Sequence, residues 1–272
     1  MPPILITVFL FVLGLVFGSF FNVLIYRLPR ELSIVKPGSF CPSCRHPIAW
    51  YDNIPLLSWL ILRGRCRHCG AAISLRYPLV ELMTGIIFAG VPPLVKAVGL
   101  ANVPAAGVSP LHIAFAIIFI SILALVLIID LEHQIIPDEL SVALFVLGWM
   151  AVFALRPPIS PGWVSSLIGM FVLSLFFLAF ALLLGGFGLG DVKLAVGLGA
   201  FFGWQLLVVA AFLSFAVGGV FAISFALYLM SQRKLKARIA IPFGPYLAIG
   251  AALTLFIGDR LLVWYLSFFR PV

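Results

Sequence analysis

The chain has 272 residues, of which 64% are hydrophobic and only 10% charged, with a mean hydropathy of +1.23. A soluble domain carries about a quarter charged residues, so a water-soluble globule is excluded and an all-α polytopic membrane protein is expected. The net charge of +8 is concentrated, with eight of the 17 Lys and Arg in residues 27–77 and four in Ser231–Ala240. Such crowding marks cytoplasmic loops and not nucleic-acid binding.

In chain order, apolar segments predict helices near 4–26, 78–98, 111–130, 139–155, 163–185, 191–203, 205–230 and 241–257, eight in all. Leu111–Ile129, Trp163–Gly185 and Gln205–Met230 contain no charged side chain and are near or above the roughly 20 residues that cross a bilayer. The first segment, Ile4–Tyr26, has no basic residue ahead of it, is followed by Arg27 and Arg30, and lacks a small-residue cleavage site. It reads as a retained helix and not as a removed signal. The short, glycine-containing segment 191–203 suggests a half-helix, and the tail Asp259–Phe269 is expected in the membrane interface. With 27–77 cytoplasmic, alternate threading places 131–138, 186–190 and 231–240 inside and 156–162 outside, so both strongly basic loops share one side. The organisation expected is a first transmembrane helix (1–26), a small cytoplasmic loop domain (27–77) and a transmembrane domain (78–272).

A domain the size of 27–77 cannot build much of a core unaided and usually needs a metal or disulfides. All four cysteines lie there, as CPSC at 41–44 and CRHC at 66–69, with 21 residues between the knuckles. Paired Cys-x-x-Cys knuckles match a tetrahedral site of four soft thiolates, suited to zinc or iron–sulfur chemistry. Cys41, Cys44, Cys66 and Cys69 are therefore the expected ligands of a structural zinc. Two disulfides are the alternative, which a reducing cytoplasm disfavours, and a redox role would explain one knuckle but not the pairing. His46 and His68 adjoin the knuckles without being needed as ligands.

Most of the nine acidic residues have ordinary explanations. Glu31 and Asp52 are loop charges, and Asp259 lies at a membrane surface. Glu81, in RYPLVEL just inside a helix, is expected either to pair with Arg76 or to face a functional cavity. Asp138 and Glu139 follow Pro137, a normal helix start favoured by the dipole. Asp130 differs, because it ends a long apolar helix, where the dipole disfavours an acid. Asp191 opens a segment after Gly186, Gly188 and Gly190 in GGFGLGDVKL, a backbone permissive enough for close approach. Helix capping is the plain reading of Asp191, yet an ionisable group at membrane depth is a functional candidate. Asp130 and Asp191 reach the same cytoplasmic depth from different helices. Two carboxylates within hydrogen-bonding distance share a proton, so one can activate water while the other donates to a carbonyl, as in aspartic proteases. No Gly-x-Ser-x-Gly or His-Glu-x-x-His competes, and His112 and His133 read as structural.

Six stretches occur in order: GSFFNVLIYRLP (18–29), the two cysteine knuckles, RYPLVEL (76–82), DLEHQIIPD (130–138), GLGDVKL (188–194) and PFGPYL (242–247). Together they resemble the type IV prepilin peptidases, the bifunctional leader peptidase/N-methyltransferases of bacterial inner membranes. The resemblance covers nearly the whole chain. It implies that Asp130 and Asp191 are the catalytic pair and that Asp138 supports them. It also implies a prepilin or type II secretion pseudopilin substrate, with a basic leader, a Gly before the cut and usually Phe after it. Cleavage would fall at the cytoplasmic face of the inner membrane, followed by methylation of the new N-terminus from S-adenosylmethionine. No Gly-x-Gly-x-x-Gly nucleotide fingerprint is present, which leaves Asn22, Arg27, Arg76 and Glu81 as candidates for the methylation site.

A proton- or ion-coupled transporter is the alternative from another class, since glycine-broken helices and paired membrane acids also serve transport. Against it, both acids lie towards one face and no half-to-half repeat occurs. A signal-peptide-peptidase-like protease shares Gly-x-Gly-Asp but pairs it with Tyr-Asp, whereas Ile129 precedes Asp130 here. A zinc-held scaffold would tolerate loss of both aspartates.

Overall fold

The computed structural model describes residues 3–101, 103–155, 162–184, 188–231 and 242–269, and among these there are helices and loops but no strands. The long helices are α1 (Pro3–Arg27), α3 (Arg76–Val98), α4 (Pro110–His133), α5 (Asp138–Ala154), α6 (Trp163–Leu184), α7 (Leu189–Ser231) and α8 (Gly244–Ser267), with a short α2 at Leu57–Ile61. Six of the described helices are long and apolar enough to cross a membrane, so the chain is a multi-pass membrane protein. A backbone in lipid must satisfy its own polar groups, which is why each apolar run is a helix. The loops expected at 156–162 and 231–240 lie almost wholly outside the described residues, as does Gly186.

The segments 191–203 and 205–230 are the two legs of α7, which breaks at Gly203, whose φ of 69° and ψ of 178° are not helical. Glycine takes that left-handed region without a Cβ penalty, so the break expected between them is there. One boundary differs from the sequence reading: the last helix, expected to end near 257, continues as α8 to Ser267. The run of apolar residues simply outlasts the single charge pair Asp259–Arg260, and Arg260 is held by the Val98 carbonyl at 2.7 Å.

The chain divides into two compact units, Met1–Leu94 and Val95–Val272. In the first, α1 and α3 run antiparallel at backbone contact. A Cβ on Gly14 would stand 2.7 Å from the Thr84 carbonyl, and one on Gly18 would stand 2.6 Å from Glu81 Cα. Asn22 continues the seam by donating to the Tyr77 carbonyl at 3.0 Å. The loop region hangs on two buried polar groups. Arg27 donates to the carbonyls of Ser33 and Pro37, both at 2.7 Å, and of Gly38 at 3.2 Å. Glu81 accepts the Leu56 N–H at 2.8 Å, just ahead of α2.

In the second unit, contacts fix the helix directions. Ile136 lies by Gly190 and Ser141 by Gly197, while Gly148 packs on Ala200, so α5 and the first leg of α7 run parallel. After Gly203 the chain turns back. Leu206 meets Gly258 and Gly218 meets Tyr246, so α8 is antiparallel to the returning leg. Small residues let these helices touch, as is common where lipid offers no hydrophobic drive. Rings fill the gaps, with Phe119 stacked on Phe201 at 4.1 Å. One end of this unit thus gathers the end of α4 and the starts of α5, α7 and α8.

Candidate active site

Asp130 sits one turn from the end of α4. The helix stops at Gln134, whose φ of 55° is left-handed and whose N–H closes on the Asp130 carbonyl at 2.9 Å. Asp191 lies in the first turn of α7. Both acids are buried, at 4% and 7% exposure, and so belong to the interior of the unit. Each carboxylate meets a glycine N–H at the start of a helix. Asp191 Oδ2 accepts from Gly188 at 3.1 Å, while Asp130 accepts from Gly244 and lies within electrostatic reach of Asp191.

Those two bonds resolve the opposing expectations. The Gly188 bond is the reciprocal arm of a helix cap, so the plain reading of Asp191 is correct for one of its oxygens. Asp130 is disfavoured by its own helix, but α8 supplies the compensation. The first N–H groups of a helix have no intrahelical acceptor, and the positive end of the dipole favours an anion there. The start of α8 gives Asp130 both. A Cβ on Gly244 would fall 2.5 Å from Asp130 Oδ2, so this contact requires glycine.

Sequence reasoning missed Gly244 and Ile136 as parts of the site. Ile136, half-buried in the loop before α5, packs on both flanking glycines: its Cβ is 3.1 Å from a Cβ built on Gly190, and its Cδ1 is 2.9 Å from one built on Gly244. Asp138 is exposed and paired with Lys193, whose Nζ reaches both carboxylate oxygens at 2.7 Å. It is an outer brace between α5 and α7. Lys193 was legible only as part of GLGDVKL.

The four cysteines come together in the first unit, their sulfurs all within 4.8 Å of one another. The knuckles are folded alike. Cys41 N–H bonds the His46 carbonyl at 2.9 Å and Cys66 N–H the Ala71 carbonyl at 2.8 Å, with Arg45 and Gly70 in left-handed conformations at the matching turn. The Cys41 and Cys69 sulfurs are 3.9 Å apart, close to the roughly 3.8 Å edge of a tetrahedron with 2.3 Å zinc–sulfur bonds. The Cys44 backbone N–H is the main influence that draws the Cys41 thiol down to about 6. Cys69 is pushed up to about 11 despite the Ala71 N–H, by desolvation and its three sulfur neighbours. Four sulfurs held this close are a donor set suited to a soft divalent cation. The His46 and His68 rings lie against each other at 3.4 Å between centroids, joining the knuckles outside the sulfur cluster.

Of the methylation candidates, Arg27 lines a cavity of about 490 Å³ in the first unit, with Val16, Ser19, Phe20 and Asn53 among its other walls. Asn22 Oδ1 is buried without a partner in this unit. Glu81 is bound to the Leu56 backbone, and the Arg76 guanidinium lies 5.1 Å from the Tyr77 ring centroid.

Fold and site together define a multi-pass membrane protein with two buried carboxylates at one end of a helix bundle and a metal-capable four-cysteine loop. The family model described as Bacterial Peptidase A24 N-terminal domain matches residues 12–92, and that described as Type IV leader peptidase family matches residues 117–223. The chain is 38% identical to a prepilin leader peptidase/N-methyltransferase of Aeromonas salmonicida (strain A449) over 285 residues, covering 94% of this chain and 92% of the relative. Proteins of the same description from Klebsiella pneumoniae and Bacillus subtilis (strain 168) are 42% and 34% identical, covering 75% and 95% of this chain and 89% and 97% of theirs. No solved structure matches the chain significantly. The chain belongs to the type IV leader peptidase family. That membership removes the support for a transporter.

Proposed function

We propose that the chain cleaves the basic leader from type IV prepilins or type II secretion pseudopilins and then N-methylates the new N-terminal residue. The observation that supports cleavage is the placement of buried Asp130 and Asp191 within electrostatic reach of each other, each against a helix start. Carboxylates brought within hydrogen-bonding distance hold one proton between them. The ionised one takes a proton from water as the water oxygen bonds to the carbonyl carbon, and the protonated one gives its proton to the carbonyl oxygen. In the collapse of the resulting diol, one hydroxyl proton returns to a carboxylate, the other carboxyl protonates the departing nitrogen, and the C–N bond breaks. Gly244 and Gly188 hold one oxygen of each acid, which fixes the direction of the others.

The cut falls after a Gly and usually before a Phe, at the cytoplasmic face of the inner membrane. This placement follows from the family resemblance and from the concentration of Lys and Arg in 27–77 and 231–240. Cys41, Cys44, Cys66 and Cys69 hold a structural zinc, which ties the knuckles into one domain. S-adenosylmethionine supplies the methyl group when bound. The cavity beside Arg27 is of ligand size, and Ser19, Arg27, Ser39 and Asn53 are the polar residues there that would hold the donor.

The test uses purified protein in liposomes with a full-length prepilin, read by mass spectrometry of the product N-terminus. Wild type releases the leader after its Gly, and Asp130→Asn or Asp191→Asn lowers the rate by about a thousandfold or more. Equal cleavage by all three proteins overturns the two-aspartate mechanism. With S-adenosylmethionine the wild-type product gains the mass of one methylene.

A further inference from the structure

Ile136 touches both backbones that present the dyad. Gly190 adjoins Asp191, Gly244 holds Asp130 through its N–H, and the Ile136 side chain packs on both glycines at close range. It therefore bridges the two backbone segments beside the carboxylates, with part of its surface open. It is also a side chain that cannot easily yield. One end of its loop is closed by the Gln134 N–H on the Asp130 carbonyl at 2.9 Å, and the other by the Asp138–Lys193 pair at 2.7 Å. Pro137, buried next to it, fixes the backbone, and a β-branched side chain has few rotamers to escape into.

A peptide bond must come within hydrogen-bonding reach of both carboxylates to be cut, so the substrate backbone passes over this side chain. A Cβ on Gly190 or Gly244 would stand 3.1 or 2.9 Å from Ile136, so this side chain already closes on both backbones and leaves little room beside them for a further side chain. We propose that Ile136 is a specificity-determining residue, whose side chain fills the space that a side chain on the residue before the scissile bond would need. The inference rests on reading the dyad as a leader peptidase. It gives that reading a physical reason for a leader that ends in Gly.

The test measures kcat/KM for full-length wild type, Ile136→Ala and Ile136→Val in liposomes, on prepilins carrying Gly, Ala, Ser or Val before the scissile bond. Wild type prefers Gly over Ala by about a hundredfold, and Ile136→Ala narrows that ratio by about tenfold or more, with Ile136→Val between them. An unaltered Gly-to-Ala ratio in Ile136→Ala overturns the assignment while leaving the peptidase reading intact. Should Ile136→Ala show no cooperative melting, the ratio in Ile136→Val decides in the same way. Failure of wild type to cut any of these prepilins overturns the peptidase reading itself, and the assignment with it.

Discussion

The loop region of the first unit and the helix bundle of the second solve opposite problems. The loop region is ordered by polar groups: Arg27 on three carbonyls, Glu81 on the Leu56 N–H, and four sulfurs in one cluster. The bundle is ordered by the absence of side chains, with Gly148, Gly197 and Gly250 bringing backbones together around two buried acids. A fold of the first kind depends on polar partners and on a cluster able to take a metal. A fold of the second kind depends on empty space at particular Cα atoms. The two are therefore vulnerable to different changes.

Metal removal gives the largest separation. Chelation, or Cys66→Ser, should release about one zinc per chain, expose the loop to protease and lower methylation about a hundredfold, with leader cleavage falling less than about tenfold. Zinc content and the two activities on one sample check this, and an equal fall in both would break the contrast. Gly244→Ala acts on the other side. Its Cβ would stand 2.5 Å from Asp130 Oδ2, and a displacement of that carboxylate by about 1 Å should cost about a hundredfold in cleavage. Methylation of an already cleaved pilin should be spared. Gly190→Ala, against Ile136 at 3.1 Å, should cost less, about tenfold.

The Asp138–Lys193 pair is exposed, and such pairs are worth about 1 kcal/mol or less. Asp138→Asn should lower cleavage by no more than about fivefold, and a larger loss would move Asp138 from brace to participant. The smallest effect belongs to Asp52 in the loop region. Arg67 donates to both of its oxygens, at 2.7 and 2.6 Å, and holds its carboxyl below the ordinary 3.8. A depressed folded-state value means that this pair stabilises above about pH 4 and is lost as the pH falls through the lower value. Melting curves of wild type and Asp52→Asn should differ slightly at neutral pH and converge in acid.

What could be read from sequence was what is local. Cys41 and Cys44 lie in one knuckle and Cys66 and Cys69 in another, so their spacing announces a metal site before any fold is known. Asp130 and Asp191 were conspicuous because an acid in a long apolar run has few ordinary explanations. The break near 203 was visible as glycine between apolar stretches. The partners of the acids were hidden, because Gly244 acts through a backbone N–H that any residue has, and through a missing Cβ whose meaning depends on Asp130 arriving from another helix. Ile136 looked like one more apolar residue among many. Glu81 was open between Arg76 and a cavity, and the structure gives it the Leu56 backbone, a partner in a loop with no helical periodicity to predict it.

The turn at Gly203 has a further consequence. From Asp191 to Gly203 the first leg of α7 rises only about 20 Å at 1.5 Å per residue, whereas the returning leg, which runs on to Ser231, rises about 40 Å. The hydrocarbon layer of a bilayer is about 30 Å thick. Helices shorter than their surroundings create a hydrophobic mismatch, which lipids meet by thinning. The shortfall of roughly 10 Å has to be taken up by a dimple in the leaflet or by water reaching down to the carboxylates. Either brings bulk solvent to the two carboxylates, and with it the molecule that hydrolysis consumes.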